Sequence, residues 1–512
     1  MIRIHKYASG KMIQDPDIII IGSGIGGASA AAGLASSGAN ILILEAGHHL
    51  ADGPENVDQG KIFREGYFRP RETWFDGDRH PFNPGNYYYV GGNSKFYGAV
   101  LARYRYEDFA EMRHQGGISP AWPFNYDELE PWYCAAEKLY SVRGQTGLDP
   151  SEPPHSKAYD YGAIPDEPPI AELRLRLLAQ GYHPYSLPLG IDINRWRERR
   201  NTPWDAHPHA DDGKMDAETA ALREALKHPN VTLLTGARVT RLEAATQKGK
   251  ITSVVYEKDG LEQSFAPKIV ILAAGAVQSA VLLLRSGNSS YPAGIANSSD
   301  QVGRSFMNHN CSAVLGFSPW FRNDAIYQKT IGLNDFYLSD GDDGPPLGNI
   351  QLLGKVSGTI LKSSLPQIPL GLLDAFSRHT VDWFAMSEDL PDPGNRVTWE
   401  SGKVVLKWKR NNWQAHLRLV SKLKNILRRS GFPIVFSRAF DKRTPSHQCG
   451  TIRIGNDPEI APLDGHCRSY DHSNLFVCDA SCLPTSAAVN PALTVAALAL
   501  RTANHIIEKE LQ

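Results

Sequence analysis

The run DIIII (Asp17 to Ile21) breaks at Gly22, the pattern of a strand buried on both faces that ends in a tight turn. Ala28 to Ser36 (ASAAAGLAS) then reads as a helix of small residues lying close to a sheet, and ILILE after Gly38 predicts a second strand ending at Glu45. The longest apolar stretch, Ile269 to Leu284, contains Gly275, Gln278 and Ser279 and predicts another strand followed by a helix. Two alternating stretches, IQLLGKVSG (Ile350 to Gly358) and NRVTWESGKVVLKW (Asn395 to Trp408), predict an antiparallel sheet, the second as a hairpin with Glu400, Ser401 and Gly402 at its turn. The segment ALTVAALALRTANHI after Pro491 has helical apolar spacing without glycine. Residue preferences at helix starts make Asn490 its expected N-cap and Pro491 its first residue. Together these elements predict an α/β fold, uninterrupted by short repeats or low-complexity tracts.

Chemistry enters with the first turn. In GSGIGG, Gly22, Gly24 and Gly27 have the spacing G-x-G-x-x-G, and the unit of strand, glycines, helix, strand and terminal Glu45 is that of a Rossmann-like dinucleotide site. The glycines permit a tight turn and close backbone approach to a pyrophosphate on the helix's positive N-terminus, and Glu45 is placed to accept hydrogen bonds from a ribose. FAD and NAD both use such a unit, so the turn alone leaves the cofactor open.

Length and charge narrow the remaining classes. A chain of 512 residues, 42% hydrophobic, can bury a large core and suggests two or three domains. Lys plus Arg (54) nearly cancels Asp plus Glu (55), so there is no net field to draw nucleic acid or an anionic membrane. The opening MIRIHKYASGKMIQDPD lacks the apolar core of a signal peptide, and Ile269 to Leu284 is too short to span a membrane, so a cytoplasmic protein without a membrane span is expected. Six scattered cysteines are expected to be reduced thiols. No C-x-x-C or H-E-x-x-H motif occurs, and no metal is expected. The basic clusters RWRERR (Arg195 to Arg200) and LRR (Leu427 to Arg429) read as solvated faces.

Later segments choose the cofactor. YVGGNSKFYGAVLAR (Tyr89 to Arg103) resembles the flavin-cradling signature of the glucose-methanol-choline (GMC) oxidoreductase family. IVILAAGAVQSAVLLLRSG (Ile269 to Gly287) resembles its second signature, and VGRSFMNH from Val302, LPDPGNRVTW from Leu390 and the segment from His447 to Ile507 also fit. The resemblance runs through nearly the whole chain and implies FAD, with Gly22, Ser23, Gly24, Gly27, Glu45, Gly91, Gly92, Asn93, Ser94, Gly98 and Ala99 among the residues that hold it. It further implies that VTLLTGARVTRL (Val231 to Leu242) meets the adenine through Val239, that Asp479 and Ala480 lie near the ribityl chain, and that an antiparallel sheet roofs the flavin. Because flavin-binding segments lie at both ends and in the middle, residues 1–103, 206–316 and 441–512 are expected to form the FAD domain. Residues 104–205 and 317–440 would form an α+β substrate domain, in which SPAWPFNYDELEPWY (Ser119 to Tyr133) suits a wall or lid near a pocket, or ordinary interdomain packing. Family members that tether FAD covalently do so through a histidine where this chain has Phe96, next to Tyr97, so noncovalent FAD is expected.

In the same resemblance SHQCGT makes His447 the catalytic histidine, and Asn490 occupies a position that is Asn or His in the family. The chemistry requires such a pair. Hydride does not leave a carbinol carbon readily until a base takes the hydroxyl proton, which neutral imidazole does near pH 7, and an amide donor steadies the developing alkoxide. Asn490 and Pro491 also start the last helix, whose positive end the family points at the flavin. Cys449 reads as a packing residue, because a thiol two positions from His447 lacks a third, orienting group. The implied enzyme is a bacterial FAD-dependent oxidoreductase that moves a hydride from CH–OH to flavin N5. Its substrate is a sugar, glycoside or other polyol, with Gln351, Lys355 and Glu388 able to meet hydroxyls, and its electron acceptor is O2, a quinone or an electron-transfer protein. The alternatives are a lyase or light-driven decarboxylase that keeps flavin as a scaffold, and a flavin-binding module without catalysis.

Overall fold

The computed structural model describes residues 15–198, 204, 206–208, 213–245, 249–444 and 447–512, together with the backbone of 5–6 and 12–13. Most of the opening segment, Arg199 and Arg200 of the basic cluster, and Ser446 of the SHQCGT motif lie outside the described residues.

The β-branched runs form the centre of a parallel five-stranded sheet, in the order Val231–Leu234, Ile41–Leu44, Ile18–Ile21, Ile269–Leu272 and Leu475–Val477. Ile18 to Ile20 have no exposed surface, as expected of strands covered on both faces. One cover is the helix Ile25–Leu34, which begins three residues earlier than the small-residue run suggests and packs on the C-terminal helix Ala492–Lys509. Its small residues are there for close approach: a Cβ on Gly33 would lie 2.7 Å from the Cβ of Ala503. Gly26 is more constrained, since a Cβ there would fall 1.5 Å from the carbonyl oxygen of Cys478. Gly26→Ala is therefore expected to cost about 3 kcal/mol or more through forced backbone displacement, read as a lower midpoint in chemical denaturation.

The two alternating stretches do not share a sheet. Asn349–Leu352 belongs to a six-stranded sheet with order Tyr185–Ser186, Ile331–Leu333, Asn349–Leu352, Thr380–Ser387, Asn310–Phe317, Ile434–Ala439, covered by the apolar stripe of the helix Trp413–Arg429. The remainder of the first stretch leaves the sheet, and a short helix, Gly358–Ser364, begins at its end. The hairpin Arg396–Glu400 with Lys403–Lys407 turns at Ser401 and Gly402 as expected, both with positive φ, but joins a separate sheet by pairing in parallel with Trp74–Asp76. Ser119 to Tyr133 is tied into the fold by its helical end. It runs into the helix Tyr126–Leu139, capped by Asn125 and Glu128, and is pinned to the C-terminal helix where the Tyr133 hydroxyl meets Thr494 Oγ1 at 2.8 Å.

One small ladder sets up the site. Met307–Asn308 pairs antiparallel with Gln448–Cys449, in register Met307 to Cys449, so the next residue outward on each strand, His309 and His447, comes into apposition.

Candidate active site

The two glycine-rich stretches make one surface. At Gly22, φ is +100° and a Cβ would lie 2.4 Å from the Ala273 carbonyl oxygen, so the turn closes only on glycine. Gly24 differs: a Cβ there meets nothing within 4 Å, and Gly24 is the uncapped N-cap of the helix Ile25–Leu34. Ser23 donates to Glu45 Oε2 through its backbone N–H (3.0 Å) and its hydroxyl (2.7 Å), and Gly47 N–H donates to Glu45 Oε1 at 2.7 Å. Gly91 N–H donates to Ser23 Oγ at 3.1 Å, and a Cβ on Gly92 would stand 3.5 Å from Gly24 Cα. Open space over uncapped helical N–H groups, next to a buried carboxylate with one lone pair of Oε1 to spare, fits a dinucleotide's pyrophosphate and ribose.

Other predicted contacts divide into shapers of this surface and residues placed farther along it. Ser94 holds the second loop, donating to Gly91 O (2.6 Å) and accepting from Ala217 N–H (3.0 Å), while Asn93 Oδ1 accepts from Tyr87 N–H (2.9 Å). Ala99 adopts φ +52°, and Gly98 O accepts from the Lys329 ammonium at 3.3 Å. Phe96 stacks face to face on Tyr87 with ring centres 3.6 Å apart. Val239 pairs with Tyr256 in a separate antiparallel meander, so the strand pair expected to meet the adenine is split between two sheets. Asp479 accepts from Gly275 N–H (2.9 Å) and Ser279 Oγ (2.5 Å) with one oxygen and from Ser481 N–H (2.8 Å) with the other, tying the helix start near Gly275 to the turn at Ala480. Burial raises its pKa above the ordinary carboxylate value.

His447 and Asn490 do meet. Asn490 Nδ2 lies 3.3 Å from His447 Nε2, and Gln351 Nε2 donates to Asn490 Oδ1 at 3.2 Å. The last helix starts at Ala492 with Pro491 as N-cap, so the expectation of Asn490 as N-cap is corrected. Freed from capping, its amide turns to the imidazole and to Gln351. Lys355 and Glu388, also proposed to meet hydroxyls, are engaged elsewhere. Lys355 binds Asp382 (3.1 Å) and Thr380, and Glu388 binds His114 (3.1 Å) and Ser119 Oγ (2.7 Å). Cys449 is fully buried, and burial raises its thiol pKa well above the usual value, in keeping with packing. All six cysteines are free thiols.

The sequence reading missed His309, whose Nδ1 lies 2.9 Å from His447 Nδ1. It was visible as the last letter of VGRSFMNH, but nothing local distinguishes it among seventeen histidines. Burial, then the neighbouring imidazole of His309, then the Lys329 cation hold the His447 pKa well below 6.5. A lowered pKa keeps the ring neutral as pH falls. Any rate that depends on His447 as a base should stay level between about pH 8 and 6.5, where an unshifted imidazole would already lose half its activity, as a pH series of transient kinetics will read.

Comparison with known proteins bears on this geometry. Residues 20–66 match the NAD(P)-binding Rossmann-like domain, and residues 190–311 and 395–499 match the two GMC oxidoreductase models. Paromamine 6'-oxidase of Streptomyces fradiae is 28% identical, the alignment covering 96% of this chain and 91% of that protein. The fructose dehydrogenase large subunit of Gluconobacter japonicus is 27% identical over 96% of this chain and 97% of its own length. Among solved structures, pyridoxine 4-oxidase from Mesorbium loti superposes with a TM-score of 0.66 at 18% identity, covering 96% and 99% of the two chains. The GMC matches contain His309, His447 and Asn490, and the chain belongs to the GMC oxidoreductase family, flavoproteins that oxidise CH–OH groups.

Proposed function

We propose that this protein is an FAD-dependent oxidoreductase of sugars, glycosides or related polyols, in which His447 takes the hydroxyl proton and Asn490 orients the hydroxyl. The observation that carries the reading is the 3.3 Å approach of Asn490 Nδ2 to His447 Nε2, in a polar cluster that Gln351 completes. FAD, when bound, supplies the acceptor for the hydride leaving the carbinol carbon. A substrate hydroxyl entering between imidazole and amide gives its proton to His447 Nε2 and receives the Asn490 N–H on its oxygen, which stabilises the charge that develops there. Gln351 Oε1, buried and without a partner among the described residues, is an acceptor suited to a second substrate hydroxyl. Pro491 and the start of the last helix add positive potential beside that cluster.

Phe96, with no nucleophilic atom at the position where covalent members carry histidine, supports noncovalent FAD held by the Gly22 to Gly27 and Gly91 to Ala99 surfaces with Glu45, Val239, Asp479 and Ala480. The parallel sheet, drawn from residues 18–44, 231–272 and 475–477, supports an FAD domain made of 1–103, 206–316 and 441–512, with 104–205 and 317–440 as the substrate domain. Among the described residues no helix is long and apolar enough to cross a membrane. The substrate class rests on the names of the relatives, a paromamine 6'-oxidase and a fructose dehydrogenase. An anaerobic stopped-flow screen with paromamine, D-fructose, alkyl glucosides and sorbitol tests it, followed by reoxidation with air, a quinone or a cytochrome. Bleaching of the flavin by members of this panel is expected. No bleaching, with a substrate cleaved at unchanged oxidation state, would favour the lyase reading.

A further inference from the structure

His309 Nε2 lies 2.8 Å from two backbone carbonyl oxygens, those of Ser486 and Ala487. Carbonyl oxygens only accept, so this nitrogen carries a proton and donates to both. A neutral ring has one N–H. His309 Nδ1 is therefore an acceptor, and the atom facing it at 2.9 Å, His447 Nδ1, must be the donor. That leaves His447 Nε2 with its lone pair, pointing at Asn490 Nδ2. The amide end agrees independently, because Gln351 donates to Asn490 Oδ1 and so turns the Asn490 N–H group toward the imidazole. The donors thus run in one direction from each end of the cluster and meet at a single basic atom.

We propose that His309 is a positioning residue that locks His447 in the Nδ1–H tautomer, keeping the Nε2 lone pair on the substrate side. The inference rests on His447 acting as the base, and it adds the group that decides which ring nitrogen is available. The arrangement holds in both protonation states of His447: the imidazolium formed on proton uptake still donates from Nδ1 to His309 Nδ1, and His309 cannot take on a second role because the two carbonyls fix its other nitrogen. His309 is 2% exposed, so its own Nδ1 has little access to a water that could displace His447 as its partner.

A neutron structure of the flavin-loaded protein tests the lock directly. Deuterium is expected on His447 Nδ1 and His309 Nε2, and none on His309 Nδ1; deuterium on His447 Nε2 in the resting protein overturns the proposal. Selective 15N-histidine NMR of His309→Phe and His309→Gln, with the His447 signals assigned by their loss in His447→Ala, supplies a second readout. Removing the acceptor should shift the His447 tautomer ratio toward Nε2–H by about tenfold, the worth of one net hydrogen bond. Glutamine, which keeps a donor for the carbonyls and an acceptor for His447, should restore it. An unchanged ratio in His309→Phe contradicts the lock, and if that variant does not fold, the wild-type neutron map still decides. The base reading fails separately, through a His447→Ala protein that is reduced at the wild-type rate, whatever the tautomer.

Discussion

Replacing His447 with alanine is expected to slow anaerobic flavin reduction by a saturating alcohol at least about a hundredfold while leaving the flavin bound. The size follows from the role proposed for the imidazole. Positioned proton transfer typically contributes a hundred- to ten-thousandfold, and no other described side chain in the cluster offers a base: Asn490 and Gln351 are amides, and His309 has its nitrogens committed to His447 and to two carbonyls. Retention of the flavin is expected because the surfaces proposed to hold it, the glycine turn, Glu45 and the second glycine loop, are tied to one another and among the described residues make no hydrogen bond to His447. Stopped-flow absorbance on the yellow variant reads both quantities at once. Unchanged reduction would remove His447 as the base, whereas a colourless protein would mean that the ring also helps to hold the cofactor.

The second large effect is at Gly24. The Gly24→Val protein should fold and be purified colourless, and added FAD should raise the wild-type unfolding temperature but not the variant's. Valine suits the backbone there, with φ −67° and ψ −173°, and its Cβ meets no protein atom within 4 Å. The side chain instead projects into the space over the helix's first N–H groups, where the pyrophosphate is expected. Gly22 would be a poor substitute for this test, since its positive φ and the 2.4 Å approach to Ala273 O would damage the fold itself. A yellow Gly24→Val protein would contradict the phosphate-turn reading.

These two sites differ in how readily sequence discloses them. The dinucleotide turn was legible because each of its parts is decided locally: β-branched runs make the buried strands Ile18–Ile21 and Ile41–Leu44, and glycine makes the turn between strand and helix. The helix boundary slipped to Ile25 because two of the motif's own glycines, Gly26 and Gly27, lie inside the first turn of the helix, where packing against Cys478 and Gly22 overrides their low propensity. Sheet membership was less visible. The hairpin at Ser401 and Gly402 was readable, but its parallel partner, Trp74–Asp76, lies far away in the chain, and no period in either segment specifies that pairing. The helix Tyr126–Leu139 had a readable signal in Asn125 and Glu128, masked by the prolines and aromatics around it.

The cluster around His447 shows the same division. His447 and Asn490 were found through their motif, whereas His309 reaches His447 only through the register of Met307–Asn308 against Gln448–Cys449. Asn490 carries the plainest lesson. Its residue type and the following proline favour a cap, yet the helix begins one residue later than that pairing requires, and the amide is spent on Gln351 and His447.

The most direct test is a crystal structure of the protein saturated with FAD. The isoalloxazine is expected against the face where His447 Nε2 and Asn490 Nδ2 converge, with room for one carbinol group between imidazole and ring and the pyrophosphate over Gly24. A flavin whose reactive edge lies out of reach of residue 447, or crystals that bind no flavin at saturation, would contradict that arrangement.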